Sequence, residues 1–265
     1  MYSTDQRSEK SRYFNQSVER AIAILGLFLD DMVELSATEI SKRLSLPQST
    51  IFRFLVTLEA LRLIERNPEN NKYRLGVMCL ELGTAFLKNH DLRQQSLPIL
   101  QSLRDTCGET VHLGVLENFY GVYIEKLSGL HSIGFMSSQL GGHFPLYCTG
   151  LGKSLLANLS EDQKQNYLDH LEFQQFTQNT ITDPQQLSEE LEQIRRLGYA
   201  TDKEEHENGV ACIASPIFKH NGLAGAISIA GPASRIHNED NFQKLVKLVK
   251  DAAKSISARL AGRSN

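Results

Sequence analysis

The chain has 265 residues, of which 41% are hydrophobic and 22% are charged, a composition typical of a soluble globular protein with a real core. Its net charge of −3 gives no overall sign of nucleic-acid binding, so evidence for that function must come from the arrangement of residues. The four cysteines are scattered without a CxxC pair, which excludes a zinc ribbon and a redox motif and fits a reducing cytosol. No apolar run is long enough to span a bilayer, and the polar segment Met1–Ser17 lacks the apolar core of a signal peptide, so we expect a cytoplasmic protein.

The first predicted elements are a tail and three helices. Residues 1–16 are polar, of mixed charge and without periodicity, which predicts a disordered tail. Ser17 is the predicted N-cap of the first helix, because apolar residues recur at helical spacing after it. Ser36 and Glu39 predict a capping box at the start of a second helix. Pro47 is expected as the first residue of a third helix, where its missing N–H costs no hydrogen bond.

A hairpin and a linker follow the three helices. The extended runs Leu63–Arg66 and Lys72–Leu75 flank a turn rich in asparagine and proline, which predicts a β-hairpin. Three helices followed by a hairpin are the order of a winged helix-turn-helix, which we assign to residues 17–76. Residues 77–94 are predicted to form a linker helix.

The remaining residues, 95–262, mix predicted strands and helices. Apolar runs bounded by turn signals predict strands at 111–116, 122–124, 210–218 and 223–229. Helical periodicity and start signals predict helices at 97–107, 151–159, 161–170, 184–197 and 238–260. This mixture indicates a domain of the α+β class.

The start of the third helix carries short polar side chains and an arginine, which a helix needs to read base edges in a major groove. The residues predicted to contact bases are Gln48, Ser49, Thr50, Phe52 and Arg53, with Phe52 against a thymine methyl. The hairpin cations predicted to contact phosphates are Arg66, Lys72 and Arg74. The residues by themselves leave an alternative open, a generic three-helix core in which the polar side chains are merely solvated and Phe52 is a core residue.

The glycine turn at Gly150–Lys153 is similar to a phosphate-binding loop. It does not match the pattern Gly-x-x-x-x-Gly-Lys-Ser/Thr, because Tyr147 occupies the position of the first glycine. Nucleotide hydrolysis is therefore rejected. Two glycines at a helix start leave backbone N–H groups open to an anion, although they equally fit a tight turn.

The segment Asp202–His206 is dense in side chains that bind metals or transfer protons. No second histidine lies at helical ligand spacing and no Gly-x-Ser-x-Gly elbow occurs, so a solvated acidic stretch is the default and neither a metal nor a cofactor is predicted. The alternative function is a metal-dependent hydrolase or lyase built on Asp202, Glu205, His206 and Cys212. A ligand-binding module that acts only through protein partners is a further hypothesis.

Several long segments, in order over residues 16–260, resemble IclR-type bacterial transcription regulators. The segments that carry this resemblance are Gln16–Ala21, Leu46–Thr50 with Arg53 and Leu58–Glu59, Tyr73–Gly76, Gly108–Leu113, Pro145–Lys153, Gly198–Asp202, Glu204–His206, Gly209–Val210, Cys212–Ala214 and Ile227–Pro232. The resemblance implies a winged helix-turn-helix, a linker helix and a GAF-like antiparallel-sheet domain that binds an effector.

The resemblance also implies a function. It implies a regulator, a repressor of a catabolic operon rather than an enzyme, that binds a double-stranded DNA operator as a homodimer or dimer of dimers. A small organic acid or sugar acid is the implied effector, and the implied pocket residues are Gly150, Leu151, Asp202, Cys212 and Ser228. Ala230 replaces a serine that is usual in the family, so effector identity does not transfer. Met136, Leu140 and Leu146 are expected as an apolar flank that suits a short carbon skeleton.

Overall fold

A computed structural model describes residues 15–29, 34–130 and 136–262. The chain divides between Asn89 and His90 into two compact units. The predicted tail, residues 1–16, lies outside the described residues except for its last two, which begin the first helix. None of the described helices is both long enough and apolar enough to cross a membrane.

The first unit contains the predicted three helices and hairpin. Its elements are α1 (Gln16–Gly26), α2 (Ala37–Leu44), α3 (Gln48–Ala60), β1 (Ile64–Arg66), β2 (Tyr73–Leu75) and α4 (Val77–Asn89). Strands β1 and β2 pair antiparallel, with Glu65 opposite Arg74. Leu35 pairs with Tyr73 as an isolated bridge and ties the segment before α2 to the hairpin. The unit therefore has the element order of a winged helix-turn-helix.

Two helix starts differ from the prediction by one or two residues. Asn15, not Ser17, caps α1, because the Asn15 side chain accepts hydrogen bonds from the N–H groups of Ser17 and Val18. Pro47 is the N-cap of α3 rather than its first helical residue, with an extended backbone and no side-chain cap. The capping box of Ser36 and Glu39 is confirmed.

The second unit is built on one antiparallel sheet with the strand order β5-β4-β3-β8-β7-β6. Its strands are β3 (Thr110–Glu117), β4 (Tyr120–Leu127), β5 (His143–Phe144), β6 (Ala200–Lys203), β7 (Val210–Lys219) and β8 (Gly222–Pro232). Its helices are α5 (Asp91–Cys107), α6 (Gly150–Ala157), α7 (Glu161–Asp169), α8 (Pro184–Leu197), α9 (Ala233–Ile236) and α10 (Glu239–Ala261). The short edge strands β5 and β6 were not predicted from the sequence.

Helix α5 begins six residues earlier than the predicted start at residue 97, so the boundary drawn after residue 94 falls inside it. Pro98 stands within this helix and gives up one backbone hydrogen bond there. Helix α4 ends at Asn89, and His90 separates the two helices.

Side chains alternate between the two faces of the sheet, which divides the core of the second unit. Val111, Leu113 and Ile229 pack with α5 and α10 on one face. On the other face, α6 and α8 pack with each other and with a second cluster that includes Leu155 and Leu187. The residues that alternate with Val111, Leu113 and Ile229 along their strands point to the face that carries α6. This second face therefore carries the polar side chains described below.

Candidate functional site

The exposed end of α3 is the first candidate site. Gln48, Ser49, Phe52 and Arg53 are exposed and Thr50 is half-buried, whereas Ile51 and Leu55 on the other side of the helix are fully buried. The expected outward direction of Phe52 is confirmed by its exposed fraction of 59%. No acidic side chain among the described residues pairs with Arg53, and a guanidinium presents a planar fork of donors that suits base edges and phosphates.

The turn between α2 and α3 is held by local hydrogen bonds. Ser45 adopts a left-handed conformation with φ of 52° and ends α2. The Ser41 hydroxyl donates to the Leu46 carbonyl at 2.6 Å, and the Gln48 side-chain amide donates to the Thr38 hydroxyl at 3.3 Å. These bonds fix the direction in which α3 leaves the turn.

The three hairpin cations differ in whether an acidic side chain already pairs with them. The Arg74 Nε donates to Glu65 Oε1 at 2.5 Å across the hairpin, and Lys72 lies 4.0 Å from Glu39. Arg66 instead lies over the Tyr73 ring at 6.0 Å, without an acidic partner among the described residues. Arg66 is therefore the hairpin cation most available to a phosphate.

A small cavity of about 40 Å³ lies in the second unit, between the sheet and the start of α6. By the usual measure of about 10–15 Å³ for one water, it has room for about three waters or a ligand of a few heavy atoms. Its lining residues are His112, Tyr123, Met136, Ser137, Ser138, Thr149, Leu151, Asp202, His206, Glu207, Val210, Cys212, Ser228 and Ala230.

Strand register brings most of the lining together. Asp202 lies opposite Cys212, and Cys212 lies opposite Ala230, so three neighbouring strands contribute one row. In the next row Ser228 lies opposite His112. Residues directly opposite each other in an antiparallel pair point to the same face, which explains why residues far apart in sequence meet in one cavity.

The start of α6 closes one side of the cavity. The Thr149 hydroxyl caps this helix by accepting a hydrogen bond from the Gly152 N–H at 3.0 Å. Gly150 does not line the cavity but lies directly behind Cys212, because a Cβ at Gly150 would come within 2.5 Å of the Cys212 Sγ. Only glycine fits at this position without displacing the sulfur.

The segment Met136–Ser138 covers another side of the cavity. Glu207 Oε2 accepts hydrogen bonds from both the N–H and the hydroxyl of Ser137. The Ser138 hydroxyl lies 2.9 Å from His112 Nε2, and Lys126 donates to the Ser138 carbonyl. Side chains from β3, from β4 and from the turn between β6 and β7 thus hold this segment in place.

A buried ion pair supports the strand that carries Asp202. Lys153 of α6 is fully buried, and its Nζ donates to Glu205 Oε1 at 2.6 Å and to Glu190 Oε1 at 3.2 Å. Burial lowers the pKa of Lys153, but the attraction of the Glu205 and Glu190 carboxylates outweighs it and the net shift is upward. Lys153 therefore stays charged and serves the fold, not a phosphate.

Burial controls the titratable groups of the cavity. It raises the pKa of Asp202 to about 7, against the lowering effect of the Glu205 N–H, which donates to Asp202 Oδ1 at 2.7 Å. It also lowers the pKa of His112 to about 3, so this imidazole is neutral. Burial raises the pKa of the Cys212 thiol, which is therefore protonated and not a nucleophile.

Comparison with known proteins decides the family. The model of the IclR helix-turn-helix domain matches residues 17–68, and that of the C-terminal domain of IclR-type bacterial transcriptional regulators matches residues 84–258. The chain belongs to the IclR family. The resemblance seen in the sequence, and the fold class, are thereby confirmed.

Two curated relatives of this IclR-family chain come from Escherichia coli. The transcriptional regulator XynR is 39% identical over 233 residues, which cover 86% of this chain and 92% of XynR. The transcriptional repressor AllR is 37% identical over 246 residues, which cover 92% of this chain and 90% of AllR. The family and these relatives are transcription regulators, so this chain is a helix-turn-helix regulator and not an enzyme.

Solved structures agree with this assignment. The IclR of Thermotoga maritima has a TM-score of 0.72 and 36% identity, with 92% of this chain and 98% of that chain covered. An IclR homologue from Microbacterium hydrocarbonoxydans, solved in complex with 4-hydroxybenzoate, has a TM-score of 0.80 and 26% identity, with 92% and 99% covered.

The alternative of a metal-dependent hydrolase or lyase has no support in this IclR-family chain. Among the described residues, no three histidine, cysteine, aspartate or glutamate side chains come together to hold a metal ion. Glu205 is engaged with Lys153, and the His206 ring packs against Phe176 at 4.9 Å. The default expectation of a solvated acidic stretch is also wrong for Asp202 and Glu205, because both are buried.

The predicted effector residues are only partly brought together. Leu151, Asp202, Cys212, Ser228, Ala230 and Met136 line the cavity. Leu146 does not, because it is fully buried in the cluster beneath α6, and Leu140 is exposed outside the lining. Sequence reasoning missed His112, Tyr123 and Thr149. Strand alternation places His112 opposite in direction to Val111 and Leu113, but it does not say which face meets α6.

Proposed function

We propose that this IclR-family chain is a repressor of a catabolic operon, released or strengthened by a small organic acid bound in the second unit. The observation that carries the DNA-binding half is the exposed polar start of α3, with Arg53 free of acidic partners among the described residues. That surface matches what a recognition helix presents to a major groove. AllR, a relative, is named a repressor, which supports the sign of regulation.

The proposed DNA contacts divide into two classes. Gln48, Ser49, Thr50, Phe52 and Arg53 contact base edges, and Arg66, Lys72 and Arg74 contact phosphates. Because Arg74 and Lys72 already face Glu65 and Glu39, their share of the phosphate attraction is smaller than that of Arg66.

The test of the DNA-binding half is operator selection from random duplexes by the full-length chain, followed by footprinting. Arg53→Ala is expected to lose sequence selection while its melting temperature stays unchanged. Arg196→Ala, which removes another exposed arginine, from α8, is the matched control and is expected to select normally. Normal footprints from Arg53→Ala would overturn the recognition-helix assignment.

The effector half of the proposal rests on the cavity. A few-atom volume lined by serine, threonine and tyrosine hydroxyls, with the apolar side chains of Met136 and Leu151, suits a short carboxylic acid. The homologue solved with 4-hydroxybenzoate shows that a family member takes a carboxylate. We place Gly150 behind this site and Leu151, Asp202, Cys212, Ser228, Ala230 and Met136 around it, with Leu146 as support beneath it.

A thermal-shift screen tests the effector half. Glycolate, lactate, pyruvate and sugar acids are added to the full-length chain, and a ligand that binds only the native state raises the melting temperature by mass action. A hit must also change operator affinity. If no acid shifts the melting temperature, the small-acid effector is contradicted, whereas the proposal of DNA binding is unaffected.

We further propose a homodimer or a dimer of dimers, acting in the cytoplasm where the operator is. No residue of α4 is buried, and Val77 and Leu80 are 51% and 69% exposed one turn apart. A second copy that covers this face would place two recognition helices on one near-palindromic site, and the effector would act by changing their spacing. Sedimentation of Leu80→Glu, expected to shift toward monomer, tests this; an unchanged mass would contradict it.

A further inference from the structure

We infer that Asp202 enters the effector complex in its protonated form and donates its hydrogen to an anionic effector, so that effector binding takes up one proton. This inference rests on the proposed function and assigns Asp202 as the residue that sets charge specificity. It follows from the composition of the cavity and from the partners that its charged groups already have.

The cavity is acidic although its proposed ligand is an anion. Its lining includes the carboxyl groups of Asp202 and Glu207 but no lysine or arginine. The two histidines among the described lining residues do not compensate, because burial lowers the pKa of both His112 and His206. A carboxylate that enters this space therefore meets negative groups and no positive side chain among the described lining residues.

The lysines near the cavity already bind other groups of the protein. Lys153 is fully buried and shared between Glu205 and Glu190, so that cluster already has more carboxylates than cations. Lys126 donates to the Ser138 carbonyl of the covering segment. Neither lysine lines the cavity.

Asp202 is the group placed to resolve this conflict. It is only 6% exposed, its Oδ1 accepts from the Glu205 N–H, and no side chain among the described residues donates a hydrogen bond to it. The titratable and charged groups around Asp202 come from four places. They are Cys148, just before α6, and Lys153, within α6; Cys212 in β7; Tyr123 in β4; and Glu205, His206 and Glu207 in the turn that follows Asp202.

A bound proton changes the contact from repulsive to attractive. A protonated Asp202 offers an O–H donor, and an O–H group bonded to a carboxylate forms one of the short, strong classes of hydrogen bond. The balance is simple: solvent supplies one proton, Asp202 binds it at a carboxyl oxygen, and no other bond is made or broken. Burial already raises the pKa of Asp202 to about 7, so little work is needed to protonate it near neutral pH.

The experiment is titration calorimetry on the full-length chain with glycolate as the anionic probe and glycolamide as its neutral match. Runs at each pH in two buffers that both buffer there and differ in ionisation enthalpy, MES and Bis-Tris at pH 6 and Tris and TAPS at pH 8.5, report the number of protons taken up. Glycolate is expected to take up nearly one proton at pH 8.5 and much less at pH 6, with its Kd weakening up to about tenfold per pH unit above pH ~8. Glycolamide is expected to take up none.

Two variants assign the proton. Asp202→Asn is expected to abolish proton uptake and flatten the pH dependence of the Kd. Glu207→Gln, which neutralises the other lining carboxyl group, is expected to keep the proton uptake whatever its effect on affinity. Uptake that persists in Asp202→Asn would overturn the inference, because a group other than Asp202 would then bind the proton.

The outcomes separate the inference from the proposed function. Glycolate binding without proton uptake by the unaltered chain overturns the inference alone. Failure of glycolate, lactate and pyruvate to bind at any pH from 5 to 8.5 overturns the small-acid effector and the inference together. A carboxyl 13C titration of the ligand-free chain, compared with Asp202→Asn, adds a check without ligand: an ordinary Asp202 pKa near 4 would also overturn the inference.

Discussion

Replacement of Lys153 by methionine removes the ammonium group that Glu205 and Glu190 share, while it keeps an unbranched stem of similar size. Lys153 is fully buried and Glu205 is 5% exposed. Glu205 Oε2 is already buried without a hydrogen-bond partner among the described residues, and Glu205 Oε1 would keep only the Lys203 N–H at 3.3 Å. The substitution therefore leaves a buried carboxylate almost unsatisfied.

Loss of one partner of a buried ion pair costs about 3–5 kcal/mol, because the remaining charge stays uncompensated in a low dielectric. We expect Lys153→Met to lose this much stability at pH 8. We expect a smaller loss at pH 5, because burial already raises the pKa of Glu205 and protonation removes the uncompensated charge. The double variant Lys153→Met/Glu205→Leu is expected to regain most of the loss, since it removes both charges.

Urea unfolding followed by far-ultraviolet circular dichroism measures these differences, because the chain has no tryptophan to report by fluorescence. Lys164→Met is the matched control: it breaks a 2.7 Å pair with the exposed Glu161, and we expect it to cost little, because solvent screens an exposed pair. If Lys153→Met costs no more than this control at pH 8, the buried pair does not hold the turn that carries Asp202, and the reasoning fails.

Three further predictions follow from single contacts. Gly150→Ala is expected to lower the free energy of unfolding by about 1–3 kcal/mol and to abolish the thermal shift by the effector, because the new Cβ displaces the Cys212 sulfur. Adding Cys212→Ala to this variant should restore stability, and a failure to restore it would refute the clash. Asp202→Asn is expected to gain stability over the unaltered chain as pH rises from about 4 to about 7, by up to about 4 kcal/mol in urea unfolding. Over this range Asp202 loses its proton in the unfolded chain but keeps it in the folded chain, where burial raises its pKa to about 7, so the unaltered chain becomes less stable; a difference independent of pH would contradict this. Arg66→Ala is expected to weaken non-specific DNA binding more than Arg74→Ala does, because Arg74 is already paired with Glu65. It should also reduce by about 1 the slope of the logarithm of the binding constant against the logarithm of the salt concentration. Equal effects of the two variants in mobility shifts would contradict the assignment of Arg66 as the more available cation.

The helix-turn-helix shows how far local signals reach. The capping box of Ser36 and Glu39, the break at Pro47 and the apolar spacing of α3 are all carried by neighbouring residues, so the element order and the exposed start of α3 were predictable. The N-cap of α1 was misplaced by two residues because Asn15 and Ser17 are both good caps, and only the side-chain geometry distinguishes them.

The pairing of the hairpin cations lies beyond local signals. Arg66, Lys72 and Arg74 look equivalent as a basic sequence pattern. Strand register places Arg74 opposite Glu65, and the fold brings Glu39 toward Lys72. Which cation is left for a phosphate is therefore a property of the folded hairpin.

The sequence by itself determined the winged helix-turn-helix, the α+β class of the second unit and the family, because propensities, caps and ordered motifs act over a few residues. Only the tertiary structure decided the cavity, since Asp202, Cys212, Ala230, Ser228 and His112 meet through the register of four strands. It also decided the role of Lys153, whose partner Glu205 is 52 residues away. A side chain's charge state and exposure depend on what packs against it, and that information is distributed over the whole chain.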